Sequence, residues 1–366
     1  MINAAHIHPE YYYPDEFQAT AENFFQEYQL VKHIGCPTQK MKGLKEKKTR
    51  QCRFCQKKYP FVGFSNDAHI ISEFLGNKYF VSDFECDSCN LLFSGFENDL
   101  ANFLGITRTV QSVKGKKVPK FKSSDNNLEA ESISESNQET IIKIRRSDRQ
   151  DETFIFDKVN ERTVISYSKS PYTPLRVFKA VLKMALSILN EEDLFDYKIA
   201  FEYLTKKKYD NKISGFAFVW GHIMPLTFQY ANPAVFLFKK KNSATKMFSH
   251  VFVLTALNFS FQITLPFNRR DGSFYSTPGG IDIPICPPFF GRATEDFIRP
   301  LSSYRYDLNS TERVRKETEA FAFKTRPGEY DKSRFRDKET GEITEEEFDG
   351  TKIIGIDIIK TPIDLK

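Results

Sequence analysis

Two Cys-x-x-Cys pairs constrain the fold of this 366-residue chain more than any other feature of its sequence. Cys52 and Cys55 form the first pair, Cys86 and Cys89 form the second, and thirty residues lie between the pairs. A Cys-x-x-Cys turn presents two thiolates, so two such turns supply the four soft ligands of a tetrahedral Zn²⁺ ion. Redox pairs are the alternative, and a reducing compartment favours metal binding. The spacing therefore predicts a small module stapled by structural zinc.

The composition is typical of a globular protein with more than one domain. Hydrophobic residues make up 40% of the chain, and 36 phenylalanines provide side chains for substantial cores. The N-terminal segment MINAAHIHPEYYYPDEF lacks the basic and apolar regions of a signal peptide, and the chain contains no run of about eighteen apolar residues. We therefore expect a cytoplasmic protein without a membrane partner.

Changes in composition along the chain predict four segments. The stretch SSDNNLEAESISESNQE is polar, acidic and free of aromatic residues, which is typical of a flexible linker. The predicted segments are an N-terminal helix and basic connector (1–49), the cysteine module (50–122), the flexible acidic linker (123–139) and a larger α+β domain with an antiparallel β-rich portion (140–366).

Hydrophobic periodicity predicts where helices and strands lie. Apolar residues at helical spacing in SGFENDLANFLG predict an amphipathic helix after the second cysteine pair. Thr173 and Pro174 predict the start of another helix, which is apolar on most of its circumference and should be buried. The remaining predictions are strands at 140–146, at 153–168 with a turn near Asn160, at 214–300 and at 353–359, helices at 14–30 and 196–207, and loops or a solvated helix at 309–350.

The residues between and beside the cysteine pairs follow an ordered pattern. His69 stands in the phrase AHIISEFLGN at 68–77, and Asn90 directly follows the second pair. Together with the cysteine spacing, this order resembles the zinc-stapled subgroup of the HNH endonuclease family over about residues 50–105. The resemblance implies a ββα-metal fold, in which a β-hairpin and a helix surround one divalent cation. The expected fold class is therefore α+β, with a zinc-stabilised ββα-metal nuclease module followed by the larger domain.

The resemblance implies that His69 is the general base, which deprotonates a water molecule for attack on a phosphate. Imidazole is largely neutral at pH 7, which suits this role. A satisfied core histidine is the alternative for a single histidine in an apolar run. Asn77 and Asn90 occupy the other motif positions, and Asn77 is expected to fix the loop and orient the base. The expected catalytic residues are thus His69, Asn77 and Asn90, while Glu73 is expected to be solvated.

The resemblance also implies a catalytic Mg²⁺ or Mn²⁺ ion, which binds a phosphate oxygen and the leaving 3′ oxygen. Asn90 is one predicted ligand. Ala68 stands where relatives often carry an acidic ligand, and Asp67 is the predicted substitute because it would share a strand face with His69. Further candidates lie at the start of the following helix, and they are Glu97, Asn98 and Asp99.

Basic residues flank the predicted nuclease module, although the net charge of the chain is only +5. Clustered lysine and arginine side chains neutralise phosphates without reading base sequence. A solubilising surface is the alternative for such clusters. The predicted nucleic-acid-binding residues are Lys47, Lys48, Arg50, Arg53, Lys57, Lys58, Lys114, Lys116 and Lys117.

The sequence therefore predicts a metal-dependent HNH endonuclease, with double-stranded DNA as the expected substrate. Analogy with the family further implies that the C-terminal domain sets specificity, or responds to a small-molecule or protein activator. The same analogy implies a role in anti-phage defence or restriction, and self-association. A non-catalytic zinc-finger protein that binds nucleic acid is the main alternative. A structural zinc staple within an interaction protein is the second alternative.

Overall fold

The computed structural model describes residues 13–35, 46–115, 118–134, 140–146, 153–157, 159–206, 215–243, 246–276, 283–290, 301–324, 332–336, 340, 342–347 and 355–360. The α-helices are α1 (Gln18–Glu27), α2 (Asp87–Phe103), α3 (Thr107–Val110), α4 (Pro174–Ser187) and α5 (Lys198–Thr205). The strands are β1 (Tyr28–Gly35), β2 (Ala68–His69), β3 (Val81–Ser82), β4 (Lys120–Lys122), β5 (Leu128–Ser134), β6 (Thr140–Arg146), β7 (Phe154–Asp157), β8 (Arg162–Ser168), β9 (Phe218–Ile223), β10 (Ala234–Lys240), β11 (His250–Ala256), β12 (Phe259–Thr264), β13 (Ser302–Asp307), β14 (Thr318–Lys324), β15 (Lys332–Arg336), β16 (Ile343–Glu347) and β17 (Gly355–Lys360). Helices combined with antiparallel sheets confirm the α+β class.

The chain divides into two compact units. The first comprises Met1–Lys117 and Tyr172–Val314, and the second comprises Val118–Pro171 and Arg315–Lys366. The predicted linker therefore lies inside the second unit, where Leu128–Ser134 form β5 and pair with β6. In β5, buried Leu128 and Ala130 alternate with exposed Glu129, and a strand with one solvated face is easily mistaken for a polar linker. The linker prediction is wrong for β5, and residues 135–139 lie outside the described part of the chain.

The first unit contains a six-stranded antiparallel sheet in the order β1-β10-β11-β12-β9-β13. Its central strands β11 and β12 are buried along their whole length, which confirms that these apolar runs form strands. The predicted helix at 14–30 ends earlier, at Glu27, because the chain continues as β1 and pairs with β10 at the sheet edge. Long-range pairing overrides the local helical pattern at this point.

Helix α4 begins at Pro174, as predicted, and nearly all of its residues are buried. It packs against α2, and both helices share one apolar core with the six-stranded sheet. His222 and His250 are both buried in this unit. The cysteine module is therefore built into the first unit, and it does not form the separate domain that was predicted for residues 50–122. No helix in the described part of the chain is long and apolar enough to cross a membrane.

The second unit consists of a four-stranded sheet, β17-β6-β5-β4, a three-stranded sheet, β14-β8-β7, and a hairpin of β15 and β16. The predicted turn near Asn160 lies between β7 and β8, where the Asn160 main-chain N–H donates to Asp157. Strands β14, β15 and β16 occupy the charged stretch that was predicted to be loops or a solvated helix. This prediction was wrong because β14 pairs with β8, which lies far away in the sequence.

The cysteine module itself forms a short β-hairpin followed by a helix. Strand β2 pairs with β3, so that Ala68 lies opposite Ser82 and His69 opposite Val81. Helix α2 begins directly after Cys86. This order of two strands and one helix is the arrangement that the sequence predicts for the nuclease module.

Candidate active site

The four cysteines of the two pairs converge on one point. Their sulfur atoms all lie within 4.8 Å of one another, and the Sγ atoms of Cys55 and Cys86 are 3.7 Å apart. Sulfur ligands about 2.3 Å from a tetrahedral Zn²⁺ ion lie roughly 3.8 Å from each other. The two Cys-x-x-Cys turns therefore have the geometry of a structural zinc centre.

The acidity of these thiols also fits a bound cation. A hydrogen bond with Cys89 lowers the pKa of Cys52 to about 5, and the same contact raises the pKa of Cys89. Burial raises the pKa of Cys86 to about 12, and the nearby negative charge of Cys52 adds to this effect. One thiolate thus suppresses ionisation of its neighbours, and a divalent cation is required to hold all four as thiolates.

Main-chain hydrogen bonds join the two cysteine turns to α2. The Arg53 N–H donates to the carbonyl of Phe84 over 2.8 Å, which connects the first turn to the second. Asp87, in the first turn of α2, accepts hydrogen bonds of 2.9 Å from the main-chain N–H groups of Ser65 and Asn66. The loop between the first turn and β2 is therefore fastened to the start of α2, and this sets the position of the hairpin.

His69 ends the two-residue strand β2, and its side chain is 17% exposed. Its Nε2 lies 3.8 Å from a carboxylate oxygen of Glu73, and its Nδ1 is buried without a hydrogen-bond partner among the described residues. Burial lowers the pKa of His69, the Glu73 carboxylate raises it, and the Lys183 ammonium lowers it. The net shift is downward, so the imidazole is neutral at pH 7.

Glu73 is a residue whose placement sequence reasoning missed. It was expected to be solvated, but its side chain is only 24% exposed and lies beside the imidazole of His69. Residues 73–75 form a single 3₁₀ turn that ends at Gly76, which has φ of 104°. This left-handed conformation suits glycine and folds the chain back toward the hairpin. The spacing of four residues between His69 and Glu73 was the available signal.

Asn77 holds the loop that connects the two hairpin strands. Its Nδ2 donates to the carbonyls of Ile71 at 2.6 Å and Phe80 at 2.9 Å. Its Oδ1 accepts from the main-chain N–H groups of Phe80 at 2.8 Å and Tyr79 at 3.2 Å. Because the side chain is completely buried, it cannot touch a substrate. Asn77 therefore organises the loop that connects the two strands.

Helix α2 carries the other predicted ligand residues. Asn90 is half-buried in its first turn, and Glu97 lies about two turns further along, with 24% of its side chain exposed. The charges of Glu97 and Asp67 both raise the pKa of His69, so both carboxylates act on the imidazole. Asn98 is exposed to solvent.

Asp99 is a structural residue and is not available to a cation. It is buried, it accepts a hydrogen bond of 2.9 Å from the Thr173 main-chain N–H, and it forms an ion pair of 2.9 Å with the Arg176 guanidinium. Within the described part of the chain, the four cysteines are the only group of three or more His, Cys, Asp or Glu side chains that could hold a metal. A Mg²⁺ ion needs fewer protein ligands, since it commonly binds one or two carboxylates together with water and phosphate oxygens.

Lys183 and Glu85 form a buried ion pair beside the hairpin, which sequence reasoning also missed. Their side chains are 1% and 0% exposed, and the Lys183 Nζ lies 3.2 Å from the Glu85 carboxylate. Burial raises the pKa of Glu85 to about 7, while the charge of Lys183 opposes this rise. A lysine in a helix that was expected to be buried was the available signal, because such a charge requires an acidic partner.

The predicted nucleic-acid-binding residues do not share one environment. Arg53 is 10% exposed, and its guanidinium binds the carbonyls of Ser187 and Leu189 and the carboxylate of Glu191. These contacts contradict its assignment to a nucleic-acid surface, because its donors are occupied within the fold. Arg50 is half-buried. The exposed members are Lys48, Lys57, Lys58 and Lys114, and the side chain of Lys47 and the residues Lys116 and Lys117 lie outside the described part of the chain.

Comparison with known proteins agrees with this geometry. The model of the HNH endonuclease family matches residues 52–97, from Cys52 in the cysteine cluster to Glu97 in α2. A search of the curated proteins and a search of the solved structures returned no match. The segment with the cysteine cluster and the β-hairpin is thus an HNH endonuclease module, and the resemblance seen in the sequence is confirmed over these residues. The match of this segment to the HNH endonuclease family indicates nuclease activity in general and binding of nucleic acid.

Proposed function

We propose that this protein is a metal-dependent HNH endonuclease that hydrolyses phosphodiester bonds, with double-stranded DNA as its substrate. The observation that carries the proposal is the environment of His69, a neutral and partly exposed imidazole beside acidic side chains in a zinc-stapled module. The core histidine His222 offers a contrast, because its ring nitrogens contact Ser303 and Cys286. His69 Nδ1 has no such partner among the described residues, which favours a role in proton transfer.

In the proposed reaction, the imidazole of His69 accepts a proton from water while the water oxygen attacks the phosphorus atom. The new P–O bond forms as the bond to the 3′ oxygen breaks, and the leaving oxygen takes a proton from solvent. The imidazolium that results is stabilised by the nearby Glu73 carboxylate. The strand is thereby cut to give a 5′-phosphate and a 3′-hydroxyl group.

A bound Mg²⁺ or Mn²⁺ ion would supply Lewis-acid stabilisation of the phosphate and of the leaving oxygen. Asp67, Asn90 and Glu97 are the side chains proposed to hold it. The electrostatic effect of Asp67 and Glu97 on His69 supports this choice, since it indicates carboxylates near the base. Oxygen ligands of this kind are the type that both cations prefer.

The exposed lysines Lys48, Lys57, Lys58 and Lys114 are proposed to contact the phosphate backbone. Lys57 and Lys58 directly follow the first zinc turn, which supports a contact close to the hairpin. The other parts of the chain are proposed to set specificity or to respond to an activator. A role in anti-phage defence or restriction is proposed on the analogy with the HNH family alone.

Nicking of supercoiled plasmid in Mg²⁺ or Mn²⁺ tests the proposal. His69→Ala is expected to lower the rate at least about 100-fold, because a general base contributes that much or more. Ser94→Ala is the matched control, since Ser94 is exposed on α2, and zinc content and circular dichroism verify the fold of both variants. The proposal is wrong if the wild type cleaves neither DNA nor RNA with any divalent cation. Binding without cleavage, unchanged by His69→Ala, would favour the non-catalytic zinc-finger protein.

A further inference from the structure

Helix α4 is fastened to the HNH module at both of its ends. At its start, the Thr173 N–H and the Arg176 guanidinium bind the carboxylate of Asp99 in α2. At its end, the Arg53 guanidinium binds the main-chain oxygens of Ser187 and Leu189. Because α4 lies outside the matched residues 52–97, the module depends on a distant part of the chain for its surroundings.

The middle of α4 reaches the main chain of His69. The Lys183 Nζ donates a hydrogen bond to the His69 carbonyl oxygen, and it lies 3.2 Å from Glu85 and 3.7 Å from Glu97. The contact with the carbonyl is a hydrogen bond, and the contacts with the two carboxylates are ion pairs. One buried cation thus connects the hairpin, the second zinc turn and helix α2.

The hairpin that carries His69 is too short to hold its own conformation without other contacts. Strand β2 has only two residues, and it pairs with only two residues of β3. A ladder of this length contributes few hydrogen bonds, so the peptide that carries the imidazole needs support from outside the hairpin. The contact from Lys183 provides that support at the residue that carries the imidazole.

We propose that Lys183 is a positioning residue, which holds the main chain of His69 at a set distance from the carboxylate of Glu97. This inference rests on the proposed function of His69 as a general base, and it assigns a role in the reaction to a residue outside the HNH module. Lys183 is almost completely buried, so it acts through His69 and Glu97 and does not contact the substrate.

Lys179 provides a matched control for Lys183. It lies four residues earlier on α4, it is 2% exposed, and its ammonium lies over the rings of Phe96 at 5.7 Å and Tyr203 at 4.5 Å. Replacing either lysine by methionine removes one buried charge from the same helix. A difference between the two variants therefore reports the contact with His69 and not the general packing of α4.

The test measures kcat and KM for plasmid nicking by Lys183→Met, Lys183→Arg and Lys179→Met. Lys183→Met is expected to lower kcat about 100-fold with KM unchanged, because a displacement of about 1 Å at the base has an effect of this size. Lys183→Arg is expected to restore part of kcat, whereas Lys179→Met keeps the wild-type kcat. If Lys183→Met does not fold, the double variant Lys183→Met/Glu85→Gln is used in its place. The second substitution removes the buried carboxylate that the first one leaves without its ammonium partner.

Hydrogen exchange of the main-chain amides of residues 68–82 provides a readout that does not need cleavage. Lys183→Met should exchange faster than the wild type in this hairpin, while Lys179→Met should not. The inference is wrong if Lys183→Met keeps the wild-type kcat, or if both methionine variants lose kcat equally. It is also wrong if amide exchange of the hairpin in Lys183→Met is the same as in the wild type. If the wild type cleaves nothing but exchange rises only in Lys183→Met, the proposed function fails and the positioning contact stands.

Discussion

The guanidinium of Arg53 donates a hydrogen bond of 2.8 Å to the main-chain oxygen of Ser187, the last residue of α4. A second contact, of 3.3 Å, reaches the carbonyl of Leu189. The last carbonyls of a helix have no partner within the helix, so an arginine from the first zinc turn satisfies them. Arg53 therefore joins the zinc-stapled module to α4, although sequence reasoning placed it on a nucleic-acid surface.

Arg53→Ala is expected to destabilise the protein by about 2 kcal/mol, because buried carbonyls lose a charged hydrogen-bond donor. Chemical denaturation followed by circular dichroism measures this change. The variant should leave the salt dependence of nucleic-acid binding unaltered. Lys58→Ala is the control, and it should leave the stability unchanged but alter the salt dependence. Because one phosphate contact is lost, the magnitude of the slope of log K against log salt should fall by about 1. A lower slope for Arg53→Ala would contradict the structural role.

Each chain is expected to bind one structural zinc ion, and a strong zinc chelator should unfold the HNH module. Cys89→Ser should lower the zinc content because it removes one of four converging thiolates. Cys286→Ser is the matched control, since Cys286 is buried outside the cluster. Native mass spectrometry measures the metal content of both variants. Equal zinc loss from both would show that the four clustered cysteines are not the site.

The rate of plasmid cleavage is expected to fall at acid pH with a midpoint below 6.5, because burial lowers the pKa of His69 and only the neutral imidazole accepts a proton. Glu73 raises this pKa, so Glu73→Gln should move the midpoint to a still lower pH. Profiles of log kcat against pH for both proteins measure the shift. A midpoint that moves upward in Glu73→Gln would refute the assignment of the acid limb to His69.

Asn77→Ala is expected to destabilise the protein by about 3 kcal/mol, because the main-chain groups of Ile71 and Phe80 lose their buried partners. Thermal and urea unfolding measure the loss. Asn98→Ala, which truncates an exposed asparagine, should change the stability little. If Asn77→Ala abolished cleavage at unchanged stability, Asn77 would act in the chemistry and not in the loop.

Local features of the chain were predictable because their physical causes lie within a few residues. The two Cys-x-x-Cys turns were expected to bring their four thiols together, and the four sulfur atoms do converge on one point. Pro174 at the first position of α4 and its apolar circumference sufficed to predict a buried helix. The hairpin with His69 followed from the motif, and the family comparison confirms that motif over residues 52–97.

Features that depend on distant partners were not predictable from local patterns. Strand β5 has a polar composition because one of its faces is solvated, and only its pairing with β6 distinguishes it from a linker. Similarly, β14 owes its structure to β8, more than a hundred residues away in the sequence. Periodicity contains no information about such partners, so both segments were assigned wrongly.

The sequence by itself determined the four clustered cysteines, the HNH motif and the base candidate His69, because these depend on residue types at short spacings. Only the tertiary structure decided how that base is surrounded. Glu73 lies beside the imidazole, Asn77 holds the loop, and Lys183 reaches the His69 carbonyl across 114 positions of sequence. Whether a charged side chain is buried, and which group it pairs with, depends on how distant elements pack together. A local sequence pattern therefore cannot predict either property.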